Sequence, residues 1–174
     1  MVQQILNPFV KLENYNCFGC NENNPYGLKL KFFRHQQSLF AVWHPHTNMQ
    51  GYFNIVHGGI QATILDEVGV WWVYILGKTV GVTSRMQVKF GKALRLSEKP
   101  VVAEANLEAV RRQVYTVSVK LYNAEKEVCA QGSMDYYTFS EAVSRVDYHY
   151  PDYDDFLGKK LTAEEAGLAD YILL

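Results

Sequence analysis

The chain has few cysteines, no long apolar run and almost no net charge, and each shortage removes a class of protein. Three cysteines are an odd number, which argues against the disulfide framework of a small secreted fold, so reduced thiols are expected. With 17 basic and 18 acidic residues the formal net charge is -1, which gives nucleic-acid binding no broad cationic field to draw on. No uninterrupted apolar stretch is long enough to cross a bilayer, and Met1 to Pro8 lacks the basic-then-apolar pattern of a secretory signal. These shortages lead to the expectation of a cytoplasmic protein with no membrane span and no nucleic-acid partner. Internal repeats and low-complexity blocks are missing as well.

What is present suits one packed domain: 174 residues, 48% hydrophobic, are ample for a single core and too few for two comfortable ones. From Gly27 to Arg34, Leu28, Leu30 and Phe32 alternate with Lys29, Lys31 and Phe33, the period of a half-buried strand, and Ser38 to Trp43 reads as its partner. A polar, Pro-containing segment from His44 to Asn54 leads into a helix predicted from Gly59 to Leu76. Its apolar residues cover most of the circumference, so it should be buried rather than laid on a surface. Val82 to Phe90, Val101 to Arg111, Val114 to Tyr122 and Val128 to Phe139 read as four further strands, the last two parted by the polar break Asn123-Ala124-Glu125-Lys126. The expected class is α+β: one long central helix wrapped by an antiparallel sheet of about six strands. The regions are 1–26, an N-terminal segment packing on the domain; 27–140, the domain itself; and 141–174, an acidic and aromatic extension with a capping box, Thr162 and Glu165, predicting a short helix.

The chemistry concentrates in His57-Gly58-Gly59-Ile60-Gln61-Ala62-Thr63-Ile64-Leu65-Asp66-Glu67. Two glycines stand where the helix begins, and a helix N-terminus offers unpaired amides and positive partial charge to a carbonyl oxygen that becomes an oxyanion. Two carboxylates follow, about 100° apart around the axis, so they cannot face one site; periodicity does not choose between Asp66 and Glu67. Cys17-Phe18-Gly19-Cys20 invites a zinc reading if His44 and His46 complete the shell, but there is no second Cys-x-x-Cys, and the expectation is a tight turn with packed thiols and no metal.

The order His57-Gly58-Gly59, a short apolar run and Asp66 resembles the hotdog-fold acyl-CoA thioesterases, specifically the subgroup related to phenylacetyl-CoA thioesterase. The opening from Cys17 to Leu28 and the strand Thr83 to Lys92 resemble the same subgroup, and the likeness covers about residues 17–139. The resemblance implies a hotdog fold and hydrolysis of an acyl-CoA thioester, with the CoA moiety part of the substrate and no cofactor. Asp66, nine positions after His57, is implied as general base or nucleophile, with the Gly58 amide as oxyanion donor, Gly59 alongside, and His57 orienting the loop or touching substrate. Gln50 is implied to polarise the thioester carbonyl or hold water, with Asn48 competing and Asn54 standing where a glycine is more usual. Thr83 matches a Ser/Thr that positions water from the facing subunit, and Arg85, Lys89 and Lys92 are implied to meet CoA phosphates. Such domains pair, so a dimer or dimer of dimers is expected. The alternative is a non-catalytic acyl-CoA or lipid-binding module using the same groove.

Overall fold

The computed structural model describes residues 1–172. Its strands are β1 (Val2–Ile5), β2 (Lys31–His35), β3 (Ser38–Trp43), β4 (Gly81–Phe90), β5 (Val101–Arg111), β6 (Val114–Tyr122), β7 (Val128–Thr138) and β8 (Leu157–Leu161); its helices are α1 (Gly58–Ile75) and the short α2 (Glu141–Val146). All eight strands join one sheet in the order β4-β7-β6-β5-β3-β2-β1-β8, every pairing antiparallel. The sheet wraps α1, as the all-round greasiness of that helix requires: Ile64, Leu65, Val68, Trp71, Val73 and Ile75 are fully buried, and the Trp71 ring stacks on Phe32 at 4.3 Å. The helix ends at Gly77, where a Cβ would lie 2.7 Å from the Val73 carbonyl oxygen, followed by Lys78 at φ 54°.

Eight strands replace the expected six because both flanking regions add one: β1 comes from the first residues and β8 from the C-terminal extension. The extension also covers the outer sheet face. Ala166, Leu168 and Ile172 pack with Phe33, Phe40, Val42 and Val102, so Phe33, which breaks the alternation of β2, is buried too. The capping box forms, with Thr162 and Glu165 exchanging hydrogen bonds at 2.8 and 3.2 Å, but the chain continues as turns rather than a helix. The strand expected from Gly27 begins only at Lys31. Lys29 sits at φ 59°, and the amides of Leu28 and Leu30 donate instead to the carbonyls of Phe18 and Gly19 in the Cys-x-x-Cys turn.

β4 and β8 are the sheet edges, and β4 is the long one. From Val82 to Gln87 every residue is exposed, and Phe90 is 52% exposed. Among the described residues no helix is long and apolar enough to cross a membrane.

Candidate active site

The glycine pair and the aspartate occupy two separate stations on the face shared by α1 and β4. At the helix start, His57 is the N-cap and its Nδ1 accepts a hydrogen bond from the Gly59 amide at 2.9 Å, so that ring nitrogen is unprotonated in this arrangement. The Gly59 amide is therefore occupied and does not stand beside Gly58 as a second free donor, contrary to the sequence expectation. The Gly58 amide has no partner among the described residues, being the first of the helix. A Cβ on Gly58 would meet only the Phe90 ring, at 3.7 Å, so the side-chain direction of this residue is open up to the end of β4.

The loop ahead of the helix is tied shut. Gln50 bridges Val56, the Gly51 amide donates to the Ile55 carbonyl at 2.8 Å, and the His57 amide donates to the Met49 carbonyl at 2.9 Å. Gln50 Oε1 accepts from the Asn54 amide at 2.9 Å, which commits its oxygen to the loop and leaves the amide nitrogen as the group it can offer. Asn54 takes φ 59°, the left-handed conformation that asparagine tolerates better than most residues, which explains asparagine where relatives of the resembled subgroup carry glycine. Asn48 is exposed on the preceding 3-10 turn. The loop tip sets Tyr52 and Phe53, 84% and 92% exposed, out from the surface.

Asp66 lies two turns into α1, partly buried. Its Oδ1 accepts from the Thr83 hydroxyl at 2.8 Å and from the Tyr136 hydroxyl at 3.3 Å, while the same tyrosine donates to the Asp66 carbonyl at 2.9 Å. Thr83 is exposed on β4, so the carboxylate faces outward rather than into sealed packing. Thr83 hydrogen-bonds the Asp66 of its own chain. Tyr136, fully buried on β7, went unnoticed in the sequence; burial and the neighbouring Asp66 push its phenol far above the ordinary value, so it stays a donor. The one hint was Gly69 in mid-helix: a Cβ there would collide with the Tyr136 hydroxyl.

Gly58 and Asp66 are eight positions apart on one straight helix, which puts them about 12 Å apart along its axis. Within one chain they cannot meet on one acyl carbon. β4 runs antiparallel alongside, with Thr83 at the Asp66 station and Phe90 at the Gly58 station.

Glu67, the competing carboxylate, turns the other way. Trp71 Nε1 donates to its Oε1 at 3.0 Å, Cys17 Sγ lies 3.4 Å from the same oxygen, and Gly19 presses on its carboxyl. Burial, with the Cys17 sulfur second, pushes this carboxyl up to about 8. The two thiols split: Cys17 is lowered, first by the hydrogen bond from Cys20 and then by backbone amides, while Cys20 is raised by giving that bond and by burial. His44 and His46 do not join this group; both are exposed elsewhere.

Of the three cations assigned to CoA, Arg85 pairs with Asp135 at 2.8 Å and Lys92 pairs with Glu127, whereas Lys89 has no ion pair among the described residues. Lys89 and Lys120 both pair in register with Gln131 and line a shallow depression of about 520 Å³ on the outer sheet face.

Residues 53–130 match the family model of the thioesterase superfamily. Over these residues the hotdog domain is similar to the thioesterase superfamily. The matched stretch holds Gly58, Asp66 and Thr83 but neither Cys17 and Cys20 nor the C-terminal extension. Solved structures share the fold. A thioesterase superfamily protein is 19% identical, with a TM-score of 0.63, over 70% of this chain and 62% of its own, so this chain spans less than two thirds of that protein's length. A hypothetical thioesterase from Streptococcus pneumoniae, solved with coenzyme A, is 18% identical over 59% of this chain and 82% of its own (TM-score 0.56). Zebra fish thioesterase superfamily member 2 is 18% identical over 63% and 81% (TM-score 0.56). No curated protein matches the sequence.

Proposed function

We propose that the protein hydrolyses an acyl-CoA thioester in a site built by two copies of the chain, with Asp66 from one and the Gly58 amide from the other. The observation that carries this reading is the separation of the two stations along α1, with β4 running antiparallel beside them. A twofold pairing of two β4 edges, antiparallel, sets the Thr83 end of one strand against the Phe90 end of the other. Asp66 of each copy then faces Gly58 of its partner. The strand is suited to pairing: it is long, exposed and apolar at Val82, Met86 and Phe90, contains no proline, and is a sheet edge that no further strand pairs with among the described residues.

In that site the thioester oxygen points at the unpaired Gly58 amide, where the helix terminus favours the negative charge that grows as the carbonyl is attacked. Asp66, its Oδ1 held by Thr83 and Tyr136, keeps Oδ2 for the nucleophile's proton or for attack itself. Cleavage of the C–S bond yields a carboxylic acid and the CoA thiol. In this reading the Gln50 amide nitrogen, left over once Oε1 has accepted from Asn54, approaches the carbonyl, and Lys89, the one of the three assigned cations without an ion pair among the described residues, meets a CoA phosphate. The solved complex of the Streptococcus pneumoniae protein with coenzyme A supports the ligand class. That protein was also solved with alanine at one aspartate and at one threonine, the residue types that meet here as Asp66 and Thr83. With its cysteines free, we place the protein in the cytoplasm.

The test is thiol release from short, long and aromatic acyl-CoAs by the parent and by Asp66→Asn. The parent releases thiol from at least one class and the variant loses most turnover while keeping its melting profile. Equal rates would remove Asp66 from the chemistry, and tight binding of acyl-CoA without thiol release by the parent would make the protein a binding module.

A further inference from the structure

We propose that Cys17, Cys20 and Glu67 form a binding site for a zinc-class divalent ion, which fastens the N-terminal segment to α1. One ligand atom from each residue lies within 4.8 Å of the others, although the two cysteines come from a turn near the N-terminus and the glutamate from the middle of the central helix. Two thiolates and a carboxylate suit a borderline-soft tetrahedral ion, and the remaining position falls to the Tyr15 hydroxyl, 3.0 Å from Cys20 Sγ, or to water.

Three features make this more than a chance meeting. Glu67 is drawn inward with only the Trp71 N–H and the Cys17 sulfur as partners, and no Lys, Arg or His pairs with it among the described residues. Ionising a carboxyl held away from water without a cation is costly, and a bound metal ion supplies the positive charge that favours the carboxylate. Second, the turn is shaped to the carboxyl: a Cβ on Gly19 would lie 2.5 Å from Glu67 Cδ and Oε2, so only glycine lets the two approach. Third, the turn is held rigid by side-chain amides. Asn21 donates to the Tyr15 carbonyl at 2.8 Å, Asn24 to the Cys17 carbonyl at 3.3 Å and Asn7 to the Cys20 carbonyl at 3.1 Å, while the Cys20 amide donates to Cys17 Sγ at 3.3 Å. Such outer contacts orient ligands before the ion arrives.

The sulfurs are 2.9 Å apart, between the roughly 2.05 Å of a disulfide and the roughly 3.8 Å edge of a tetrahedral site with 2.3 Å metal–sulfur bonds. The S–S distance alone does not choose between them; a metal site gives the Glu67 carboxyl a role that a disulfide would not. The ion departs from the sequence expectation of no metal, and the site lies on the side of α1 away from Asp66.

The experiment strips reduced protein with a chelator and titrates it with Zn²⁺ alone against a chromophoric competitor, then with Co²⁺. The expected result is one equivalent bound, a rise in melting temperature, and thiolate-to-cobalt charge transfer with tetrahedral ligand-field bands. Cys17→Ser and Cys20→Ser abolish the charge-transfer signal, Cys129→Ser leaves it intact, and Glu67→Gln and Gly19→Ala weaken binding by about tenfold or more. Should a ligand variant fail to fold, the parent's cobalt spectrum still decides. A parent without thiolate-to-cobalt bands, a Glu67→Gln that binds as tightly as the parent, or thiols recovered as a Cys17–Cys20 disulfide that no metal protects would each overturn the proposal.

Discussion

Gly69→Ala should damage a residue it never touches in sequence. The added methyl would overlap the Tyr136 hydroxyl and lie 3.0 Å from its Cζ, inside a fully buried contact, so the tyrosine must move. Overpacking of this kind costs about 1–3 kcal/mol. Losing the Tyr136 hydrogen bond to the Asp66 carbonyl adds about 1 kcal/mol, and the better helix propensity of alanine returns about 1 kcal/mol. The net expectation is a loss of roughly 1–3 kcal/mol, or several degrees of melting temperature for a domain of this size. Tyr136→Phe alone removes the hydrogen bonds without the collision and should cost about 1 kcal/mol. Because the offending oxygen is then gone, Gly69→Ala should cost less in the Tyr136→Phe background, giving a coupling of at least about 0.5 kcal/mol. Urea unfolding of the parent, both single variants and the double variant measures this. Turnover should fall in both singles through the loosened Asp66 carboxylate. Additive losses, or a Gly69→Ala protein with parental stability and turnover, would refute the claim that Tyr136 braces Asp66 across this helix contact.

Thr83→Val should lower kcat by about tenfold or more, with little change in melting temperature, since the residue is exposed and its hydroxyl serves only Asp66; stopped assays and thermal melts on the same samples check this. Met86→Lys, placing a charge midway along the exposed β4 edge, should turn the proposed dimer to monomer by light scattering and abolish turnover together with it. Leu168→Ala should cost about 2–5 kcal/mol by urea unfolding, because that side chain is fully buried against the outer face of the sheet.

The helix and the four strands after it were legible because their periods are strong and their ends marked: β5 and β6 run over the residues their alternation predicts, and α1 is shifted by one residue at each end. Strand β1 is only four residues long and β8 is half polar, so neither shows a period, and both form because a neighbouring edge is there to accept them. Phe33 recorded the covered outer face, yet one off-phase aromatic does not say what covers it. At the site, the motif named Gly58 and Asp66 as candidates, but their distance along the helix is a matter of arithmetic that only becomes decisive once β4 is seen as an open edge. Tyr136 and the Glu67 contact with the Cys-x-x-Cys turn join residues 70 and 50 positions apart, beyond any local pattern.

The shared site is tested most directly by mixing two dead enzymes. Gly58→Pro deletes the amide hydrogen itself, and the fold should accept it: the first helical position tolerates proline, His57 before it already has φ -57° and ψ 137°, and only Phe90 stands near. Gly58→Pro and Asp66→Asn should each lose about 10²-fold or more of kcat as homodimers. Refolded together, they should recover up to about a quarter of parental turnover, because half the dimers are mixed and each mixed dimer holds one intact site. A mixture as inactive as its components, despite exchanged subunits, would contradict a site made from Asp66 of one chain and Gly58 of another.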